Sequence, residues 1–393
     1  MKTLKNIEKY EDKRVFIRTD YNVPMNDEGE ITDDFRIRKT IPTLEYLLEK
    51  GSRIILGSHL GRPGGERIEK LSLEVVAARL AELFNAEITF FPEVKGMGVH
   101  QMVRDLKPGS ILFLENLRFY PEEKKNSVSF AKELASLCDI YVNDAFGVSH
   151  RKHASVNALP RQIDRCAGGL LMQEELQHLK SLTSFNHGDG FCAIIGGSKV
   201  SGKIDVVRNL LDVVDVLLIG GAMAYTFIKA QGIEIGKSPV ENDKIHIAKN
   251  ILKGAKARNV KIVLPVDHVT AESADSEQIE VHENADFPAD QYGFDIGPQT
   301  VQKFSEAISR AEHVFWNGPL GLFEKPQFEK GSISIAKVIA DSDAEKVAGG
   351  GDSIALIKKA GVESQFNHIS TGGGATLEFI KSGTLPAIEV LRS

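Results

Sequence analysis

Hydrophobic residues occur in short runs separated by longer stretches with helical periodicity. Ten runs rich in β-branched residues span 15–18, 53–56, 87–91, 111–114, 140–142, 192–195, 216–219, 261–264, 314–316 and 367–369. Consecutive apolar positions are typical of strands buried on both faces. Between them, 72–84, 129–138 and 243–258 carry apolar residues at helical spacing. This alternation predicts an α/β fold built on parallel sheets.

The strand–helix series occurs twice, once up to about residue 180 and again from about residue 190. A charged, leucine-containing helical stretch at 172–182 lies between the two series, and the polar, glycine-bearing segment 184–190 follows it. Such a segment is a plausible domain junction. We therefore expect two domains, with a helical stretch near the junction.

Composition limits the class of protein. The chain has 393 residues, 42% of them hydrophobic, and a formal net charge of -6, which is ordinary for a globular protein and gives no basic character for nucleic acid. No apolar stretch approaches the ~20 residues that span a bilayer, and the N-terminus lacks the apolar region of a signal peptide. Cys138, Cys166 and Cys192 are expected to be free thiols in a reducing cytoplasm.

Arginine and glycine are distributed unevenly between the two halves. Of 17 arginines, 13 lie in the first 185 residues, whereas 23 of the 35 glycines lie after them. Guanidinium groups bind carboxylates and phosphates in a bidentate manner, which favours a site for a multiply charged anion in the first half. Glycine-rich turns let the backbone approach phosphates closely. This contrast favours a two-substrate enzyme with a cleft between its domains.

Basic and amide side chains follow four of the strands predicted in the first half. They occur in 18–24 (RTDYNVP), 57–63 (GSHLGRP), 115–118 (ENLR) and 143–151 (NDAFGVSHR). In open α/β sheets, ligands bind beyond the carboxyl ends of the strands. A single arginine at a strand end is often a surface residue, but four such ends together predict a basic pocket for a small polyanion.

Glycine-rich turns follow strands in the second half. They are 196–203 (GGSKVSGK), 220–224 (GGAMA), 317–324 (NGPLGLFE), 349–353 (GGGDS) and 371–376 (TGGGAT). A glycine-rich turn that opens a helix binds anions, because free N–H groups and the helix dipole face the ligand. The triplets at 349–351 and 372–374 are each expected to open a helix.

One segment nearly matches a P-loop. Residues 197–203 satisfy all but the last position of G-x-x-x-x-G-K-[ST], where Ile204 replaces the magnesium-binding hydroxyl. The segment also contains Lys199 and Lys203, four positions apart. We expect both lysines to lie on one helical face and to point at a phosphate. A G-x-G-x-x-G after a strand is also missing, which argues against a dinucleotide-dependent dehydrogenase.

Other charged motifs are less informative. His59 and His150 lie in strand-end loops among arginines, so anion donors are favoured over metal ligands. The charge run 122–125 (EEKK) is expected to be a solvated loop.

The ordered motif set resembles that of the phosphoglycerate kinase family. The segments that carry the resemblance are 18–24 (RTDYNVP), 58–63 (SHLGRP), 115–119 (ENLRF), 143–147 (NDAFG), 196–200 (GGSKV), 316–319 (WNGP), 349–353 (GGGDS) and 370–374 (STGGG). They cover the chain from about residue 14 to 380. Each segment alone is weak evidence for the family, whereas the whole set in this order is highly specific for it.

The resemblance implies two doubly wound, Rossmann-like α/β domains joined by a helix, with a cleft between them. It implies a triose-phosphate domain at 1–183, to which 371–393 return, and a nucleotide domain at 184–370. The implied reaction is reversible phosphoryl transfer between 1,3-bisphosphoglycerate and Mg-ADP, giving 3-phosphoglycerate and ATP in glycolysis. A cytoplasmic, hinge-bending monomer without nucleic-acid or membrane partners is also implied.

Carried over position by position, the resemblance also assigns roles to individual residues. The triose-phosphate site would contain Asp20, Asn22, Arg36, His59, Arg62, Arg118 and Arg151. The nucleotide site would contain Lys203, Gly293, Asn317, Glu324, Gly350, Gly351, Asp352 and Ser353, with Asp352 on the magnesium side. Arg36, Lys199 and the helix start at Gly373 would hold the transferring phosphoryl group. Tyr21 and Ser353 depart from the usual Phe and Thr, and both preserve shape or hydroxyl.

The expected chemistry needs alignment and positive charge rather than a general base, because carboxylate and phosphate oxygens carry no proton to remove at neutral pH. The alternative is a catalytically inactive relative that keeps the fold and binds anions or nucleotides.

Overall fold

The computed structural model describes residues 1–392, and for Thr183 and Ser184 it describes the backbone alone. The chain divides into two compact units. The first unit contains Met1–Gln177 and the C-terminal residues from Thr384 onward, and the second contains His178–Gly383. Within residues 1–392, no helix has both the length and the apolar character needed to cross a bilayer.

The first unit is built on a six-stranded sheet in which every strand pair is parallel, in the order β3-β4-β2-β1-β5-β6. The strands are β1 Arg14–Thr19, β2 Arg53–Gly57, β3 Glu87–Phe91, β4 Ser110–Leu114, β5 Ile140–Asp144 and β6 Cys166–Gly168. The helices are α1 Phe35–Glu49, α2 Glu74–Leu83, α3 Met97–Asp105, α4 Pro121–Lys124, α5 Val128–Ser136 and the first part of α6 Leu170–Ser184.

The alternation of side chains along the central strands explains why apolar runs form this sheet. In β1, Val15 and Ile17 join one buried cluster, whereas Phe16 joins another. The neighbouring strand β2 divides in the same way, with Ile54 on one side and Ile55 on the other. Because successive side chains of a strand point to opposite faces, a strand covered on both faces must be apolar throughout.

The second unit contains a six-stranded parallel sheet in the order β15-β14-β13-β7-β8-β9 and a three-stranded antiparallel sheet in the order β11-β10-β12. The strands are β7 Phe191–Ile195, β8 Val216–Ile219, β9 Lys261–Val263, β10 Asp267–Ala271, β11 Glu280–Glu283, β12 Tyr292–Ile296, β13 His313–Asn317, β14 Glu345–Gly349 and β15 His368–Ser370. The helices are α7 Ile204–Leu210, α8 Ala224–Ala230, α9 Ile245–Ala257, α10 Pro298–Ile308, α11 Lys330–Asp341, α12 Gly351–Ala360 and α13 Gly373–Ser382. The short helix α14, Pro386–Glu389, belongs to the first unit.

The predicted fold class is confirmed, and all ten apolar runs form strands of the two parallel sheets. The unit boundary lies inside α6, after Gln177, rather than at the predicted 183. Residues 371–383 lie in the second unit, where α13 packs on α7 and Lys381 Nζ lies 3.2 Å from Asp205 Oδ2. Ser393, the last residue of the predicted return, lies outside the described residues.

A buried carboxylate lies where β5 meets the start of α6. Asp144 Oδ1 accepts a hydrogen bond of 3.1 Å from the backbone N–H of Met172. Desolvation nevertheless dominates and raises the pKa of Asp144 to about 7, although hydrogen bonds from Thr43, Met172 and Leu171 oppose the shift.

Replacing Asp144 by Asn should flatten the pH dependence of stability. The folded unit holds the Asp144 proton more tightly than the unfolded chain, whose aspartate pKa is about 3.9, so stability falls as the pH rises from about 4 to about 7. Urea midpoints at pH 5 and pH 8 should therefore differ less in Asp144→Asn than in the parent protein.

Asp139→Asn is the contrasting control, because the hydrogen-bonded Arg14, 2.6 Å away, lowers the pKa of Asp139. This variant should lose stability mainly near neutral pH. An unchanged pH profile in Asp144→Asn would contradict the assignment.

Candidate active site

The predicted anion-binding residues of the first unit lie beyond the carboxyl ends of its parallel strands. Asp20 and Asn22 follow β1, His59 and Arg62 follow β2, Arg118 follows β4, Arg151 follows β5, and Arg36 lies in the first turn of α1. Because all six strands run in one direction, these loops share one edge of the sheet. Arg62 and Arg151 are exposed, whereas His59 and Arg118 are buried.

Asp20 is central to this cluster. Its Oδ1 lies 3.6 Å from Arg36 Nη1 and 3.6 Å from His59 Nε2. Arg36 Nη1 also donates a hydrogen bond of 2.8 Å to the carbonyl of Asn22, and the Asn22 side chain accepts one of 2.7 Å from Gly61 N–H. These bonds hold the β1 loop against the β2 loop and fix the Arg36 guanidinium.

Arg118 completes the cluster from β4. Its Nη1 donates to the carbonyl of Gly61 at 2.8 Å, and its buried Nε has no hydrogen-bond partner within residues 1–392. Desolvation, aided by the positive charges of Arg18 and Arg151, lowers the pKa of Arg118 to about 10. A cation that is buried beside other cations is stabilised by a bound anion.

A fully buried arginine orients His59. Arg18 Nη2 lies 3.2 Å from His59 Nδ1, and a guanidinium can only donate, so Nδ1 is the acceptor. Burial first, and then the Arg18 charge, lower the pKa of His59 well below its usual value. The neutral ring therefore carries its proton on Nε2, on the side of Asp20.

The sequence suggested that the charge run at 122–125 is a solvated loop, and this prediction is wrong. Residues 122–124 lie in α4, and the Glu123 side chain is fully buried. Glu123 accepts hydrogen bonds from the Ser155 hydroxyl at 2.5 Å and the Ser155 N–H at 2.8 Å, and its Oε1 lies 4.0 Å from Arg18 Nη2. Glu123 thus compensates the charge of Arg18 beneath the cluster.

In the second unit, Lys203 joins the ends of β7 and β13. Its ammonium donates to the Gly196 carbonyl at 2.6 Å, the Asn317 carbonyl at 3.0 Å and Asn317 Oδ1 at 2.7 Å. Desolvation lowers the pKa of Lys203 to about 8, while Asp352 opposes this shift. Lys199 is exposed in the preceding loop, and α7 begins only at Ile204. The prediction that the two lysines share a helical face is therefore wrong.

The two glycine triplets open helices, as predicted. Gly350 precedes α12 with a φ of 103°, a left-handed conformation that glycine tolerates. Gly373 begins α13 and lies close to the turn before α12, because a Cβ placed on Gly373 would lie 2.7 Å from Gly350 Cα. The two helix N-termini therefore converge, and their free N–H groups and dipoles favour an anion there.

Asn317 and Ser353 connect this region to β13. Asn317 Nδ2 donates to the Gly349 carbonyl at 2.7 Å, and the Ser353 hydroxyl accepts from Gly318 N–H at 2.7 Å. Both side chains are buried and hold the turn before α12 against the end of β13. Gly351 and Asp352 are exposed at the start of α12.

A cavity of about 400 Å³ lies beside these turns. Among its lining residues are Gly197, Tyr225, Gly293, Leu320, Glu324 and Asp352. Gly293 lies within β12, where a Cβ would meet the Tyr225 hydroxyl at 1.8 Å, so only glycine fits. The cavity is large enough for a nucleoside, with apolar side chains on its wall and a carboxylate at its edge.

Sequence reasoning missed several residues of this cavity. Tyr225 O–H lies 3.1 Å from His268 Nδ1, and both side chains are buried in the wall. Asp295 is also buried there, and desolvation raises its pKa to about 7. His268 and Asp295 lie in β10 and β12, which carry no continuous apolar run, so the strand pattern did not identify them.

Gly373→Ala should lower the thermal unfolding midpoint, because the new methyl group would overlap the backbone at Gly350. We expect a loss of about 1–3 kcal/mol, the usual cost of overpacking. Gly351→Ala is the matched control, since a Cβ there has no atom within 4 Å. Calorimetry that shows equal midpoints for the two variants would contradict the close approach of α13.

Comparisons with known proteins identify one family. The family model described as phosphoglycerate kinase matches residues 4–383. A phosphoglycerate kinase from Koribacter versatilis is 50% identical over 388 residues, which are 96% of each chain. One from Bdellovibrio bacteriovorus is 45% identical over 396 residues, covering 100% of this chain and 98% of the relative.

Solved structures show the same likeness. The phosphoglycerate kinase of Coxiella burnetii is 36% identical, superimposes with a TM-score of 0.86, and matches over 99% of this chain and 98% of its own. That of Pyrococcus horikoshii OT3 is 32% identical with a TM-score of 0.85, over 100% and 98%. From the site geometry, the family match and these relatives, we conclude that this chain belongs to the phosphoglycerate kinase family.

Proposed function

We propose that this chain carries out the phosphoglycerate kinase reaction with the triose phosphate on its first unit and the nucleotide on its second. The reaction is reversible phosphoryl transfer between 1,3-bisphosphoglycerate and Mg-ADP, which gives 3-phosphoglycerate and ATP in glycolysis. The proposal rests on the different side chains and turns that the two parallel sheets present at their edges. One sheet presents an arginine–histidine cluster at its carboxyl edge, and the other presents glycine-rich helix starts.

On the first unit, the triose phosphate would contact the cluster described above. The proposed contacts are Asp20, Asn22, Arg36, His59, Arg62, Arg118 and Arg151. Guanidinium groups suit phosphate and carboxylate oxygens, and the exposed Arg62 and Arg151 are accessible to such an anion. His59 would donate from Nε2 as a neutral ring, which adds a hydrogen bond without a further charge.

On the second unit, the nucleotide would occupy the 400 Å³ cavity. Gly293 and Glu324 would contact the nucleoside, and the phosphates would lie at the turn before α12. The residues proposed at that turn are Lys203, Asn317, Gly350, Gly351, Asp352 and Ser353. All three donors of the Lys203 ammonium already bind protein oxygens, so a phosphate must replace at least one of them.

The residues at this turn fit a magnesium ion that arrives with the nucleotide. No group of three or more His, Cys, Asp or Glu in the described part of the chain could hold a metal ion. Mg²⁺ usually binds through one or two carboxylates together with substrate phosphates and water. The exposed carboxylate of Asp352 meets that requirement, and the ion would neutralise phosphate charge.

Catalysis would depend on positive charge around the transferring group. The transition state spreads charge over the equatorial oxygens, and no proton must be removed. Arg36, Lys199 and the N–H groups at Gly373 are proposed to supply the charge and the hydrogen bonds. Lys199 is exposed in the loop before α7, so its side chain is accessible to a bound ligand.

Lys199→Ala and Arg36→Ala should each lower turnover by roughly 10²–10³, by comparison with the loss of single oxyanion-hole donors. The assay couples 3-phosphoglycerate, ATP and magnesium to NADH oxidation by an added dehydrogenase. Lys253→Ala and Arg104→Ala, at exposed positions on α9 and α3, are matched controls that should keep full turnover.

Near-full turnover in Lys199→Ala would contradict its charge-stabilising role. Ligand binding without magnesium-dependent turnover in the parent protein would instead indicate the inactive relative. The presence of Arg36, Lys199 and Asp352 argues against that alternative.

In-line transfer requires the two ligands to meet in a space that excludes water. We therefore propose a hinge-bending closure when both ligands are bound. Small-angle scattering should show a smaller radius of gyration with both ligands than with either alone, and an unchanged radius would contradict closure.

We also propose that the protein is a cytoplasmic monomer. Cys138, Cys166 and Cys192 are buried free thiols, which suits a reducing compartment, and burial raises the pKa of each to about 12. The monomer is the expectation for the family, and native mass spectrometry tests it.

A further inference from the structure

A second cavity of the second unit, about 580 Å³ in volume, lies along the edge strand β9. One side is formed by β9 and the segment that follows it, and the other by the C-terminal half of α10. Pro265 lines both this cavity and the proposed nucleotide cavity. The proposed phosphoryl-transfer chemistry does not use the larger cavity.

The β9 side of this cavity is apolar and incompletely covered. Ile262, Val263, Leu264 and Val266 are each only partly buried, as is Val216 of the adjoining strand β8. Four apolar residues within five consecutive positions are normally covered in an α/β sheet. A ligand with an apolar body would remove this surface from water.

The margin of the same cavity is cationic. Lys261, Lys303 and Arg310 line it and are exposed, and within residues 1–392 none of them is part of an ion pair. Two carboxylates are also present, but both have other partners. Asp215 accepts from Gly188 N–H at 2.6 Å and from Phe191 N–H at 3.0 Å.

The second carboxylate, Glu306, accepts a hydrogen bond of 3.1 Å from the Gln302 side chain. Counting these five ionic side chains, the cavity has three cations and two anions, a net charge of +1. An anionic group at the margin would therefore be attracted rather than repelled.

We propose that this cavity is a second ligand site, which binds a small organic anion with an apolar body, such as an aromatic carboxylate or sulfonate. The apolar part lies against β9, and the anionic group lies between Lys303 and Arg310. The volume falls within the range of about 300–1,000 Å³ that is usual for small-molecule sites. None of its lining residues belongs to the glycine-rich segments 196–203, 317–324 or 349–353, so it differs chemically from the nucleotide site.

The probe is 8-anilinonaphthalene-1-sulfonate, whose fluorescence rises on apolar burial. It is titrated into the full chain at saturating Mg-ADP and 3-phosphoglycerate, so that both proposed substrate sites are blocked. We expect one probe molecule per chain. Ala307→Trp, which fills the cavity from α10, should weaken binding at least tenfold. The double variant Lys303→Glu/Arg310→Glu should weaken it about tenfold. Lys253→Glu/Lys256→Glu, at two exposed positions on α9, changes the net charge by the same amount and is the matched control that leaves binding unchanged.

The double variant keeps the proposal testable if Ala307→Trp does not fold, because both of its side chains are exposed. Parent-like turnover would show that it is folded. Arg310 follows the C-terminus of α10, where a cation also stabilises the helix dipole. A purely structural role would therefore lower the unfolding midpoint of the double variant and leave probe affinity unchanged.

The proposal is overturned if Mg-ADP displaces all of the probe, if no probe binds, or if the cavity variants bind it as the parent does. It is also overturned if sedimentation shows a dimer that Ala307→Trp dissociates, since a second copy of the chain would then cover this surface.

Discussion

The common direction of the strands is the constraint on which the site depends. Each large sheet contains six strands, and every paired strand runs parallel to its neighbour. All strand-end loops of a unit therefore emerge at one edge, whatever their separation along the chain. Asp20 and Arg118, almost a hundred residues apart, interact electrostatically for this reason. Helices on both faces make the arrangement stable, because they bury the central apolar strands such as β1, β2, β4, β5 and β7.

Beneath the cationic cluster, the first unit buries an arginine together with a carboxylate. Arg18 and Glu123 are both fully buried, and the hydroxyl and N–H of Ser155 satisfy the carboxylate oxygens. Loss of one partner of such a pair typically costs about 3–5 kcal/mol, because the other charge remains unpaired. The pair also has a functional consequence, since Arg18 determines which nitrogen of His59 can donate to a ligand.

The sequence predicted the features that depend on local pattern. Continuous apolar runs identified ten strands of the parallel sheets, and the glycine triplets identified the starts of α12 and α13. It did not predict the antiparallel sheet, because strands such as Glu280–Glu283 are exposed and polar. The role of Glu123 was also missed, since a charge run looks the same whether it is solvated or one of its members pairs with a residue far away in the chain.

The sequence by itself determined the fold class, the motif set and the identity of the residues at the strand ends, because these follow from periodicity and residue chemistry. Only the tertiary structure decided how those residues are used. It placed Lys203 on oxygens of Gly196 and Asn317, brought Gly373 against Gly350, and left the β9 side of a cavity uncovered. These are contacts between residues distant in the chain, and their distances and burial depend on packing that no local pattern specifies.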